Sequence, residues 1–317
     1  MNPQAGKTRH FSVVIPLFNR EREILRAIRS CLSQDFSDFE IVVVDDASTD
    51  RSAAAVERVA DDRVRLIHRA KNRGECPTRN AGATAALGEW IVFLDSDDEL
   101  LPGCLGAIFP FTSQANGVDR FGFIYRHDDG RLSPDPLPEV SLLGFPEWLS
   151  FMEHARLSDA LWVTRRSTFE DCRLPESRVS PMLYHLDFAA RYRTRFVPKV
   201  LALLHSDSPN RLSVIGRRWD WARVRERAKD DVANLWQMLA RHGDALSRYA
   251  PRKHGRLRRA LVVSQAIAGS RRQALRAALR FAADDPLRAQ RWGLVILSAL
   301  GGRAMDYARR HHPGAAG

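Results

Sequence analysis

Carboxylates crowd two short stretches of this 317-residue chain. Asp45-Asp46 close the apolar run Phe39–Val44, and Asp95-Ser96-Asp97-Asp98-Glu99 follow the run Trp90–Leu94. A third polar end, Pro16-Leu17-Phe18-Asn19, terminates Phe11–Leu17. Carboxylates that close repel one another unless a cation or a proton sits among them. A hard divalent ion with oxygen ligands meets that demand, and such ions keep waters and take substrate phosphates as further ligands. Bound there, the ion would neutralise charge developing on a departing diphosphate. A solvated turn with a helix cap also produces an acidic strand end. Two acidic ends on neighbouring strands argue against that blander reading.

The elements around these residues alternate. Phe11–Leu17, Phe39–Val44, Val64–His68 and Trp90–Leu94 are short, apolar and rich in β-branched residues, the pattern of buried strands. Between them, Glu21–Gln34 places Ile24, Leu25, Ile28, Cys31 and Leu32 on one helical face. Ser48 or Thr49 caps a second helix through Ala60, and Thr78–Leu87 reads as a helix of small residues. Such alternation means a mostly parallel α/β sheet with helices on both faces. Right-handed crossovers bring the strand C-termini to one edge, where ligands bind. Further on, Leu101–Thr112 and Pro181–Tyr192 read as helices, and Phe121–Arg126, Leu161–Thr164 and Phe196–Leu204 as strands. The proline-rich stretch His127–Phe145 reads as a loop.

Neither GxxxxGK[ST] nor GxGxxG occurs, so a P-loop and a dinucleotide fingerprint are excluded. Residues Phe11–Gly103 resemble the donor half of a family 2 glycosyltransferase with the GT-A fold, through VVIPLFNR, SQDFSDFEIVVVDDASTD and NRGECPTRNAGATAALGEWIVFLDSDDELLPG. The resemblance implies a nucleoside diphosphate sugar donor and Mg²⁺ or Mn²⁺. It implies that Pro16 and Asn19 pack along the nucleoside and that Asp46 pairs with the base edge. Arg79 and Asn80 would approach the diphosphate and donor sugar. Asp95 and Asp97 are the outer members of the DxD motif, with Asp97 the metal ligand and Asp95 a ribose or metal contact. His205 corresponds to a histidine that reaches the metal or diphosphate, and imidazole suits Mn²⁺ better than Mg²⁺. The stretch Ser206–Ser213 could close over the donor.

Inverting members of that family carry an acidic pair on a helix of the acceptor half, its aspartate the general base. Aligned on Leu174-Pro175-Glu176 and on Asp187-Phe188, the pair falls on Tyr184-His185. Three readings follow. His185 is the base, since imidazole titrates near neutrality; Asp187 is the base with a slipped register, although two residues on points to another side of a helix; or the site is inactive. A non-catalytic nucleotide-sugar binder therefore stands as the second function. Nucleotidyl transfer lacks the glycine-rich basic loop it needs at the first strand.

The net charge of +11 is unevenly spread. From Val214 onward there are 22 Lys and Arg against 8 Asp and Glu, so residues 1–213 form an acidic-leaning α/β domain and 214–317 a basic, Ala/Leu/Arg-rich α-helical tail. Breaks are expected near His242–Gly243, Gly255, Gly269 and Pro286. Arg256, Arg258, Arg259, Arg271, Arg272, Arg288, Arg291, Arg309 and Arg310, with Trp219, Trp221, Trp236 and Trp292, suit an anionic membrane surface or a helical cap or oligomerisation unit. Nucleic acid is disfavoured for want of a recognised motif. The polar start Met1–His10 has no apolar signal core, no run reaches the ~20 residues of a bilayer span, and Cys31, Cys76, Cys104 and Cys172 are spaced as core thiols of a reducing compartment. The expected setting is cytoplasmic, peripheral on the inner face of the plasma membrane. The acceptor expected there is a sugar or lipid-linked sugar.

Overall fold

The computed structural model describes residues 9–137, 141–155, 159–176, 181–205, 221–285 and 289–304. The expected closing loop Ser206–Ser213 lies outside them. The chain divides into two compact units, Met1–Leu212 and Ser213–Gly317.

The first unit opens with β1 (Arg9–Leu17), α1 (Glu23–Leu32), β2 (Phe39–Asp45), α2 (Ser52–Glu57), β3 (Val64–His68), α3 (Glu75–Ala85) and β4 (Gly88–Phe93). It continues with β5 (Glu99–Leu100), α4 (Cys104–Ser113), β6 (Arg120–His127), β7 (Leu132–Ser133), β8 (Leu142–Leu143), α5 (Phe145–His154), β9 (Leu161–Arg165), α6 (Thr168–Asp171), α7 (Met182–Arg191) and β10 (Thr194–Leu204). The strands form one ten-stranded sheet in the order β3-β2-β1-β4-β9-β6-β10-β5, with β7 on β6 and β8 on β10.

Period-two alternation along β1 decides the layering. Phe11, Val13 and Ile15 enter a core with Ile24 and Ile28 of α1 and Leu105 and Ile108 of α4. Val14 turns to the other face, with Val42, Val44 and Ala83 of α3. The small residues of α3 let it lie close. A Cβ on Gly82 would sit 2.3 Å from Val14 Cγ1. The four cysteines are buried thiols outside any disulfide.

The parallel order holds for β1–β4. It fails at β9, which runs antiparallel to both β4 and β6. Antiparallel neighbours need no crossover to the opposite edge, so β9 begins where β4 and β6 end. The stretch read as one proline-rich loop contains β7 and β8 and leads into α5, whose Pro146 sits in the first turn, where a missing N–H costs nothing. Ser48 and Thr49 do not cap α2. Its N-cap is Arg51, and both hydroxyl residues serve Asn19 instead.

The second unit contains α8 (Trp221–Tyr249), α9 (Pro251–Ala268), α10 (Arg271–Ala283) and α11 (Ala289–Leu300). Its core is Ala228, Val262, Val263, Ala266, Ile267, Ala274, Ala278, Phe281 and Leu294. The expected breaks at His242–Gly243 and Gly255 do not occur, because a glycine inside a helix costs only about 1 kcal/mol, which packing offsets. The chain turns at Ala250 and at Gly269, whose φ is 94°. Among the described residues no helix is long and apolar enough to cross a membrane.

Candidate active site

The sheet steps outward from β1 to β2 and β3 on one side and to β4 on the other, so the β1/β4 pair is the point where strand order reverses. Ligands of open α/β sheets bind at that point, beyond the strand C-termini. The pairing of β1 with β4 ends at Val14↔Phe93. Val14 still accepts a hydrogen bond from the Leu94 amide at 3.1 Å. Two residues later Pro16 presents no N–H to that side. A buried proline is tolerated here because the ladder has already opened.

Polar residues gather on this edge. Asn19, with φ 52°, ties the ends of β1 and β2 together. Its amide nitrogen donates to Ser48 Oγ at 3.0 Å, and its side-chain oxygen accepts from the Thr49 amide at 2.8 Å. Phe18, beside it, leaves its ring 43% exposed. Asp46 is buried, and its carboxylate accepts the main-chain N–H groups of Arg73 (3.0 Å) and Gly74 (2.7 Å) and faces Arg69 at 3.3 Å. In this structure it fixes the loop leading into α3.

The acidic segment after β4 is balanced by cations of the same unit. Asp95 pairs with Arg79, which also reaches Glu75 at 2.5 Å. Asp97 faces Arg20 at 3.6 Å. Glu99 faces Arg26 at 3.5 Å and the His205 ring at 2.6 Å. The His205 amide donates to Asp98 at 3.3 Å, so the end of β10 is tied to the acidic segment. Arg79 is therefore no surface arginine: its side chain is 16% exposed. Burial opposes its charge, yet Glu75 and Asp95 raise its pKa above the ordinary value. Asn80 is engaged differently from the expectation. Its amide donates to Leu174 O and Glu176 Oε1, both at 2.8 Å, and accepts from the Leu174 amide at 3.1 Å. It clips the Leu174–Glu176 segment onto α3.

Residues 12–166 match the family model described as Glycosyl transferase family 2. Succinoglycan biosynthesis protein ExoO of Rhizobium meliloti is 47% identical over 103 residues, 32% of this chain and 30% of that protein. GalNAc(5)-diNAcBac-PP-undecaprenol beta-1,3-glucosyltransferase of Campylobacter jejuni is 35% identical over 127 residues, 39% of this chain and 41% of its own. Residues 12–166 are a family 2 glycosyltransferase domain. The alignments span at most about half the length of the curated relatives. The fold extends further. Residues 1–349 of S. aureus TarS in complex with UDP-GlcNAc superpose with a TM-score of 0.60 at 18% identity, over 95% of this chain and 91% of that one. Mannosyltransferase PcManGT from Pyrobaculum calidifontis, in complex with GDP-Man and Mn²⁺, gives 0.54 at 19% identity, over 96% and 88%.

The expected catalytic helix is α7, which lies beyond residues 12–166, and its surroundings speak against the reading of His185 as base. The Nδ1 atom of His185 lies 3.1 Å from an Arg120 Nη1. A guanidinium only donates, so Nδ1 is the acceptor and the proton sits on Nε2. Burial, then Arg120, then Arg79 push the imidazole pKa well below its ordinary value. The one lone pair a base would use is already taken. The ring stacks on Trp148 at 6.1 Å.

Arg120 was missed by sequence reasoning. It is fully buried at the start of β6, donates to Thr194 Oγ1 at 3.2 Å, and sits 4.1 Å from the ring centre of Phe188, 4.4 Å from Trp162 and 5.0 Å from Trp148. Gly122 leaves room for the cage. A Cβ there would come within 3 Å of both Phe196 and Trp162. Among the described residues no carboxylate pairs with Arg120, and burial pulls its pKa down to about 10. Asp187 is the one carboxylate on α7, and its charge is felt at the Cys172 thiol. Asp159, just before β9, is a second carboxylate that sequence reading passed over. Its charge reaches Glu75 and Tyr125 at the donor edge.

Among the described residues no three His, Cys, Asp or Glu side chains converge to hold a metal ion. The donor set still fits a hard divalent cation. Asp95 is 46% exposed and Arg79 engages its Oδ1, while Asp97 faces Arg20 at 3.6 Å. One or two protein oxygens suffice where phosphates and waters complete the shell.

Proposed function

We propose that this chain transfers a glycosyl unit, with inversion, from a nucleoside diphosphate sugar bound at the β1/β4 crevice to a sugar or lipid-linked sugar acceptor. The observation that carries this reading is the pairing of Asp95 and Asp97 with Arg79 and Arg20 at the strand-order reversal of a family 2 domain. Charges so arranged can exchange partners. The arginines can turn to a diphosphate while the carboxylates take a cation.

Asp97 and Asp95 would hold Mg²⁺ or Mn²⁺, with His205 beside them on Glu99. Bound there, the ion stabilises charge on the diphosphate leaving group. Arg79 would orient the diphosphate. Asn19 would line the nucleoside, and the exposed Phe18 ring offers the base a stacking plane. Asp46, whose expected role was the base edge, would act by holding the 73–74 main chain in place. The acceptor proton requires a carboxylate, because His185 is neutral and its lone pair is engaged. Asp159 is the better candidate, since it precedes β9 at the edge where β4 and β6 end, and its charge acts on Glu75 together with that of Asp95. Asp187 is the second, as the one carboxylate on α7.

The names of the relatives, succinoglycan biosynthesis and an undecaprenol-linked glucosyl transfer, support assembly of a surface polysaccharide or glycolipid. For that role the chain would sit peripherally on the cytoplasmic leaflet. One observation favours a second reading, a non-catalytic nucleotide-sugar binder: Tyr184-His185 stand where the family carries its acids. Calorimetric titration with a panel of nucleoside diphosphates, with and without Mn²⁺, tests the donor site. Metal-dependent binding of one nucleotide, lost in Asp97→Ala, is the expected result. No binding under any condition would sink it, and binding without turnover on any acceptor would favour the second reading.

A further inference from the structure

The second unit carries an outward surface of unusual composition. α10 holds Arg271, Arg272, Arg276 and Arg280 and no acid, and α11 holds Arg291 and no acid. The acids of the connecting turn are already paired, Asp284 with Arg258 and Asp285 with Arg291 at 3.7 Å. The two helices pack antiparallel. Arg271 at the start of α10 donates to the Ala299 carbonyl near the end of α11, and Arg291 near the start of α11 donates to the Phe281 carbonyl at 3.0 Å.

Their inner faces, Ala274, Ala278 and Phe281 on α10 and Leu294 and Ser298 on α11, are buried. Four-residue spacing then sets what faces out. On α10 it is Arg272, Arg276 and Arg280, all exposed. On α11 it is Trp292 (44% exposed), Ile296 (62%) and Leu300 (63%). A row of guanidinium groups thus runs along one helix and a row of large apolar side chains along its neighbour.

We infer that the outward surface of α10 and α11 docks on an anionic lipid bilayer. The apolar row would enter the boundary between headgroups and acyl chains, roughly 5–10 Å deep. The arginine row would meet lipid phosphates. Charge selects this occupant over others. A second copy docked through the same surface would offer the arginines no carboxylate, since α10 and α11 hold none. A nucleic acid would satisfy the arginines and leave Trp292, Ile296 and Leu300 in water. The inference does not depend on the transferase reading, since it requires no donor or acceptor.

Vesicle flotation of the full chain tests it, using phosphatidylcholine alone and a mixture with phosphatidylglycerol. The protein is expected to float with the anionic vesicles only and to be released in 1 M salt, where the Debye length is about 3 Å. Replacing Arg272, Arg276 and Arg280 by Gln should lower partitioning roughly 100-fold, at the usual contribution of each basic residue near such a surface. Replacing Trp292, Ile296 and Leu300 by Ser should lower it at least about tenfold. Circular dichroism checks that the variants keep their helices, and Ile296→Ser alone serves if the triple variant does not. The inference is overturned by equal binding to neutral vesicles or by no flotation. It is also overturned if the serine variant converts a lipid-independent dimer to monomer, or if the arginine row binds nucleic acid without vesicles.

Discussion

Two buried arginines of the first unit, Arg79 and Arg120, are displaced in opposite directions. Burial opposes the charge of both. At Arg79 the carboxylates Glu75 and Asp95 outweigh it, and the pKa rises. At Arg120 no carboxylate among the described residues does, and the pKa falls to about 10. Arg79 belongs to a set of ion pairs at the open edge, whose members can be offered new partners by an anionic ligand. Arg120 is held by the faces of Phe188, Trp162 and Trp148 and by a neutral imidazole. Paired charge at the edge suits binding and chemistry, whereas caged charge beneath it suits positioning. The difference predicts which substitutions abolish transfer and which only loosen the fold.

The largest effect is expected at the edge. Asp97→Ala should reduce transfer by roughly 10³-fold or more, because charge stabilisation of the leaving diphosphate is worth several kcal/mol. Denaturant unfolding of the same variant separates lost chemistry from a lost fold, since the Arg20 contact at 3.6 Å is removed as well. A variant with unchanged turnover would show that the edge acids are counter-ions only. Next comes the base. Asp159→Ala should cost roughly 10²–10⁴ in kcat, and Asp187→Ala much less. The reverse order would return the base to α7.

The donor half was legible because its signals are local. The apolar runs and strand ends name β1 to β4 from the chain itself, and small residues such as Gly82 announce a helix lying against the sheet. Boundaries shifted where a side chain had a distant customer: Ser48 and Thr49 look like caps, yet they bind Asn19. The acceptor half was harder for the same reason. Arg120 reads as a flanking residue of a strand. Its burial depends on rings from α5, β9 and α7, brought together only in three dimensions. Asp159 was passed over because the antiparallel direction of β9 decides that it starts at the donor edge, and nothing in Leu161–Thr164 gives that direction. Asn80 fitted the family pattern, but its partners Leu174 and Glu176 lie more than ninety residues away.

A further substitution probes the cage itself. Arg120→Ala removes two hydrogen bonds and the contact with three rings, and leaves a cavity. It should destabilise the first unit by about 3 kcal/mol. Nucleotide binding by the protein that remains folded should change little. Denaturant unfolding and calorimetric titration on the same preparation separate the two quantities. Loss of binding without loss of stability would place Arg120 in the site rather than beneath it.

The smallest effect distinguishes a neutral His185 from a titrating one. Its folded pKa lies well below the ordinary 6.5, so below that pH the unfolded chain binds a proton that the folded chain refuses. Stability is therefore full above pH 6.5 and is lost as pH falls towards the folded pKa, at up to about 1.4 kcal/mol per pH unit for one group. Asn at this position can still accept from Arg120 but takes up no proton. His185→Asn should therefore flatten the acid side of the stability profile by about that slope between pH 6.5 and 5. It should also change kcat less than tenfold, because the side chain is not the base. Thermal melts at closely spaced pH values read the first quantity and initial rates the second. Identical slopes in both proteins would mean that His185 keeps its ordinary affinity for a proton in the fold, and the argument that removed it from catalysis would go with that.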